Sequence, residues 1–237
     1  MAVGLDSSLL SFDLAADGSV RSLNAALHGL AGVVDPPRVV VSKPSGRHSI
    51  AVGLDAALEV EIDGHVGYYC AGMNKLATVR VRGNCGVGVA ENMMSGTVIV
   101  EGSASQSAGS SAHGGLLSIG GSAAARCGIS LKGGAIVVRG SVGHMSGFMA
   151  QSGALVVCGD AGEALGDSLY EARLYVRGSV ASLGADCIEK EMRDSHVREV
   201  ASLLEACGID DLDADDFRRY GSARTLYNFH PSHVGAY

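Results

Sequence analysis

The stretch Val138-Arg139-Gly140-Ser141-Val142-Gly143-His144-Met145-Ser146-Gly147 is followed by Val157-Cys158-Gly159-Asp160-Ala161-Gly162-Glu163-Ala164-Leu165-Gly166, the same G-x-x-G-x-x-x-G pattern shifted by 19 residues. Working outward, the anchoring glycine recurs at the same interval as Gly64, Gly83, Gly102, Gly121, Gly140, Gly159 and Gly178. A fixed period of this length is the mark of a coiled repeat. Two residues before each anchor stand Ile62, Val81, Val100, Ile119, Val138, Val157 and Val176, and four before stand Val60, Val79, Val98, Leu117, Ile136, Leu155 and Leu174. The positions between and beside them admit Glu61, Arg80, Arg82, Glu101, Ser118 and Arg139. This period-2 alternation predicts one short strand per repeat with a single face turned inward.

Two further columns hold small residues. Three after the anchor come Gly67, Gly86, Ser105, Ala124, Gly143, Gly162 and Ala181, and seven after come Ala71, Ala90, Gly109, Gly128, Gly147, Gly166 and Ala185. Such positions suit corners, where the backbone turns through positive φ or neighbouring chains come close. One residue after the anchor, His65, Asn84, Ser103, Ser122, Ser141, Asp160 and Ser179 form a polar column. It predicts a ladder of hydrogen bonds from coil to coil at the strand spacing of about 4.8 Å.

One short strand cannot bury its own apolar face, so each repeat must lean on its neighbours, as in a solenoid. The expected fold is all-β: a right-handed single-stranded parallel β-helix of about seven 19-residue coils, each circuit holding two or three short strands. Residues 1–57 form the N-terminal cap and a first irregular coil, 58–185 the repeats, and 186–237 a C-terminal helix and partner-binding tail. The exposed ends of a stack need covers. Ser19 to Leu30 places Val20, Leu23, Leu27 and Leu30 on one helical face, and strand-like Val39-Val40-Val41 follows Pro36-Pro37. Asp186 with Glu189 reads as a capping box opening a helix through Ala206, with Ile188, Met192, Val200 and Leu204 on one face and Gly208 as its stop. An acidic stretch from Asp210 to Asp216 precedes an extended arm whose Arg224, Leu226, Tyr227 and Phe229 are the candidate partner contacts.

Composition fits a narrow core: 47% of residues are hydrophobic, only 5% aromatic, and tryptophan is absent. The net charge of −7 argues against nucleic acid or an anionic membrane as partner. Without a basic, then apolar, leader or a membrane-spanning run, a cytoplasmic location is expected. Six cysteines form no C-x-x-C pair or compact cluster, so reduced, mostly buried thiols are expected. Cys70 and Cys127 share a column but lie three coils apart, about 14 Å, too far for a disulfide. Cys158 falls on an outward strand position and is the best exposed-thiol candidate, although no adjacent His or Lys lowers its pKa.

Chemistry is tested by register, because only residues of one column are neighbours along a stack. His65, His113 and His144 occupy different columns, so no metal site is implied, and the His230 and His233 pair is too weak a motif to assign. The glycine-rich Gly83 to Gly88 lacks the following helix that phosphate binding requires. Glu91, Asp160, Glu163, Asp167 and Glu171 are the acids open to a β-helix enzyme acting on polysaccharide, yet they form no column. No catalytic, cofactor-binding or metal residue is therefore assigned. That enzyme and a self-associating scaffold stand as alternatives to the reading that follows.

The G-x-x-G-x-x-x-G column resembles the C-terminal β-helix domain of glutamate synthase large subunits, a domain also found in a subunit of formylmethanofuran dehydrogenase. Arg21-Ser-Leu-Asn-Ala-Ala-Leu-His28 and Ala223-Arg-Thr-Leu-Tyr-Asn-Phe229 further resemble the stand-alone form, the middle subunit of N-methylglutamate synthase and related complexes. The resemblance implies a non-catalytic structural subunit joining a glutamine amidotransferase subunit to an FMN-dependent, iron–sulfur synthase subunit in amino-acid nitrogen metabolism. No cofactor is then expected in this chain, and FMN and the iron–sulfur cluster belong to a partner. Ala2 follows Met1 where an N-terminal-nucleophile amidotransferase needs cysteine, and iron–sulfur cysteine spacing is absent.

Overall fold

Valine and isoleucine at alternate positions give every repeat one short strand, and the 19-residue interval sets their register. In the computed structural model, which describes residues 9–16 and 18–225, these strands are β3 (Glu59–Asp63), β4 (Thr78–Val81), β5 (Thr97–Val100), β6 (Leu116–Ile119), β7 (Ala135–Val138), β8 (Ala154–Val157) and β9 (Arg173–Val176). They pair in parallel, with Val60 opposite Val79, Val79 opposite Val98, and so on to Leu155 opposite Leu174. The side chains two and four before each anchor stack into two inner columns, none more than 2% exposed. Burying an aliphatic side chain of this kind is worth about 1.5–3 kcal/mol, so the columns are the main source of cohesion.

Each coil has one strand, not the two or three expected. On the next side the columns two after the anchor form single-residue parallel bridges, from Val66 with Cys85 to Ala161 with Val180. The corner beyond them is built differently. Residues seven after the anchor, from Ala71 to Gly166, take positive φ, and so do those five and nine after it, including Tyr69, Arg126, Met145, Met73 and Ser130. In that zigzag the N–H groups alternate in direction. Tyr69 and Met73 donate forward to Val87 and Glu91 (2.8 and 2.7 Å), while Ala90 donates back to Cys70 (2.9 Å). These bonds between coils offset the cost of about 1–2 kcal/mol that a non-glycine residue meets in the left-handed region.

The anchors meet a different constraint. A Cβ on Gly140 would lie 2.4 Å from Ser122 Oγ and 2.8 Å from the Gly121 carbonyl oxygen, and one on Gly121 2.3 Å from Ser103 Oγ. Glycine is required there by close approach to the coil below. The group approached belongs to the polar column, which forms the expected ladder. The N–H groups of Asn84, Ser103, Ser122, Ser141, Asp160 and Ser179 each donate to the side chain one coil earlier, at 2.7–3.2 Å.

Both ends are covered. Helix α1 (Val20–Gly29) starts at Ser19, whose Oγ accepts from the Ser22 N–H (3.2 Å). It buries Leu23 and Leu27 against the first coil, with Val20 and Leu30 packed alongside. Asn24 pins it by donating to Ser49 O (2.8 Å) and accepting from the Ala51 N–H (2.9 Å). Strand β2 (Arg38–Ser42) fits the expected strand, and an additional strand, β1 (Leu9–Asp13), pairs with it.

The C-terminal cover departs from expectation. Cys187–Lys190 is strand β10, and the helix, α2, spans Asp194–Ala206. Strand β11 (Arg218–Ser222) returns antiparallel between β9 and β10, which extends the sheet past the last coil. Asp186 therefore caps no helix. Its carboxylate accepts from the side chains of Ser222 and Thr225 and from the N–H groups of Arg224 (3.1 Å) and Thr225 (2.8 Å). Local capping preference yields here to the ladder bonds that β10 gains from β11. Ile188, assigned to the buried face of that helix, is 42% exposed on β10. The sheet runs unbroken across residues 57 and 185.

Candidate functional site

The interior of the coil is filled mainly by buried apolar side chains, so the groups considered below lie on its outside. The outer face of the sheet divides into two halves. On β2 to β5 it is charged: Glu61 bridges Arg38 and Arg82, and Glu101 takes Arg82 (3.1 Å) and Arg80 (3.4 Å). The Arg82 hydrogen bond holds the Glu61 carboxyl below its ordinary pKa. Pairs this exposed contribute about 0–1 kcal/mol each, so they set the charge pattern of the face more than its stability.

On β7 to β9 the outward positions, Arg173 apart, are instead apolar and covered. Val137, Ala154, Val156, Cys158 and Tyr175 form a second buried cluster with Val200 and Leu204 of α2, Ile209, Ala214 and Phe217. Cys158 is consequently 3% exposed, correcting its assignment as an exposed thiol, and burial pushes its pKa up to about 11. Alternation places Cys158 on the outer face correctly, but α2 covers that face. Burial likewise drives the Cys85, Cys127 and Cys187 thiols to about 12. All six cysteines are free thiols, and Cys207 alone is partly exposed.

A polar clasp fastens α2 to β9. Arg173 donates to both oxygens of Glu199 (2.8 and 2.7 Å), and the Tyr175 hydroxyl donates to Oε2 (2.5 Å). Burial acts to raise the Glu199 pKa, but the Arg173 and Tyr175 hydrogen bonds prevail and hold it below the ordinary glutamate value. A depressed carboxyl contributes stability that is complete above the unfolded pKa and is lost as pH falls through the folded one. Glu199→Gln is thus expected to cost roughly 2 kcal/mol at neutral pH. The gap from wild type should narrow below pH 4.5, read by urea titration at several pH values; a gap that widens on acidification would contradict the clasp.

The acids open to an enzyme reading are dispersed around the coil. Asp160 sits in the ladder, its pKa lowered by the Ser179 hydroxyl and N–H. Asp167 accepts from Ser168 Oγ (2.7 Å) and the Ala185 N–H (3.1 Å), and Glu171 pairs with Arg224 (2.8 Å). Glu91 lines a shallow groove with Tyr69 and Met73. In the same coils Tyr68, Tyr69, Met73, Leu76 and Met94 are exposed, 47–56% accessible.

Of the candidate partner contacts, Arg224 is held within the chain by Asp186 and Glu171, while Leu226, Tyr227 and Phe229 lie outside the described residues. Among the described residues no group of three or more His, Cys, Asp or Glu side chains is placed to hold a metal ion, and no helix is long and apolar enough to cross a membrane.

No protein-family model matches the chain. It is 57% identical over 218 residues, 92% of its own length and 96% of the relative's, to Protein GlxC of Rhizobium meliloti (strain 1021). At that identity and coverage, the chain belongs to the family of Protein GlxC.

Proposed function

We propose that the chain is a non-catalytic structural subunit of a glutamate-synthase-like complex, of the N-methylglutamate synthase type. It joins a glutamine amidotransferase subunit to an FMN- and iron–sulfur-bearing synthase subunit. The observation that carries this reading is the seven-coil β-helix built on the G-x-x-G-x-x-x-G column, the pattern shared with the C-terminal domain of glutamate synthase large subunits. The name of the GlxC relative specifies no chemistry, so the reading rests on that pattern and on how the residues are used.

That use supports it. The carboxyls of Asp13, Glu61, Asp160, Glu199 and Asp211 are all held below their ordinary range, opposite to the shift a general acid needs. Thiols pushed up by burial are poor nucleophiles at neutral pH. In this reading FMN and the iron–sulfur cluster reside in the synthase subunit. Co-expression with a glutamine amidotransferase subunit and an FMN-dependent synthase subunit from the same organism, with the tag on this chain alone, should recover all three together. Recovery of a single species without either partner would contradict the reading.

A further inference from the structure

The C-terminal end of α2 and the loop over residues 208–215 enclose an open groove of about 760 Å³. Its floor is apolar, with half-buried Val197 and Leu212 beside buried Leu204. Its rim is acidic, carrying Glu205, Asp210 and Asp215, all exposed. The neighbouring Asp211 and Asp216 are engaged by Arg139 and Arg177. No ion pair among the described residues engages the other three.

The helix adds to this field. Its C-terminus presents a partial negative charge of about half an electron, and the last turn of α2 carries no basic side chain. Carboxylates collected at that end are unfavourable in the isolated chain and become favourable when a cation arrives. The rim acids are too dispersed to chelate a metal ion, which suits an extended ligand with several positive charges. The apolar floor calls for hydrophobic side chains on that same ligand.

We propose that this groove docks an amphipathic segment of a partner protein, with arginine or lysine along one face and leucine-like residues along the other. A second copy of this chain is the poorer occupant, because its net charge of −7 opposes association through an acidic surface. The inference goes beyond the structural-subunit reading and does not depend on which partners the complex contains.

The test uses the full chain and a fluorescein-labelled helical peptide with arginines on one face and leucines on the other, followed by anisotropy. Saturable binding is expected, weakening by about tenfold or more when Glu205→Lys, Asp210→Lys and Asp215→Lys are combined, and when the peptide leucines become serines. Lysine at the end of α2 favours the helix, so the triple variant should stay folded, as circular dichroism would verify. Glu91→Lys with Glu163→Lys, neither of which lines the groove, should leave binding unchanged. Absent binding, binding indifferent to the triple variant, or equal affinity for the serine peptide or spermidine would overturn the proposal. So would a wild-type dimer in sedimentation that the triple variant abolishes, since the occupant would then be a second copy.

Discussion

Replacing Gly140 by alanine is expected to lower the unfolding free energy by roughly 2–3 kcal/mol, or about 5–10 °C in Tm for a chain of this size. The added methyl would sit 2.4 Å from Ser122 Oγ and 2.8 Å from the Gly121 carbonyl oxygen. Ser122 Oγ cannot withdraw without cost, because it accepts the Ser141 N–H at 3.1 Å. Relief must come from moving one coil relative to the next, which strains the parallel ladder on both sides. Gly29→Ala is the matched control: nothing lies within 4 Å of its Cβ position, and alanine is the better helix former. Thermal and urea unfolding of the two variants should therefore separate cleanly. Equal stability would mean that the anchors are not set by close approach between coils.

Val156→Asp should be more damaging still, by about 4 kcal/mol or more, because it removes a buried aliphatic side chain and forces an unpaired carboxylate under α2. Val156 is wholly buried between the sheet and the C-terminal segment, with Cys158 in the same cluster. The inner columns of the coil are untouched, so the expected lesion is local: α2 lifts while β3 to β8 persist. Two readouts follow from that geometry. Amide exchange should rise over residues 194–217 and not in the strands, and Cys158 should become reactive to a thiol reagent that it resists in the wild type. Ile99→Asp places the same charge at an outward position opposite Arg80 on the uncovered half of the sheet, and should cost under about 1 kcal/mol. Equal damage from both would show that the two halves of the outer face do not differ.

The parts of this fold legible in the sequence are those the repeat states seven times. Val60, Val79 and their successors give the strand, the interval gives the register, and the polar column from His65 to Ser179 gives the ladder. Columns five and nine after the anchor carry Tyr69, Arg126, Met145 and Met73, residues with no preference for positive φ. Only the bonding between coils places them there, so no local rule finds them. The C-terminal cover is not legible locally, because Asp186 and Glu189 satisfy a capping pattern, whereas β10 is specified by its long-range partner β11. The hidden outer face did leave a trace. Val137, Val156 and Tyr175 are apolar at positions that alternation turns outward, which requires something to cover them. Of the groove, the acids from Asp210 to Asp216 are visible in sequence, but its floor exists only once α2 and the following loop meet.

The proposed role of this chain is to couple two catalytic partners while performing no chemistry itself. The most direct measurement is glutamine-dependent turnover by a glutamine amidotransferase subunit and an FMN-dependent synthase subunit from the same organism, assayed with and without this chain, and with this chain alone. The account predicts no turnover by the chain alone, and glutamine-dependent product from the two partners only when it is present. Turnover by the isolated chain, or coupling that is the same in its absence, would contradict it.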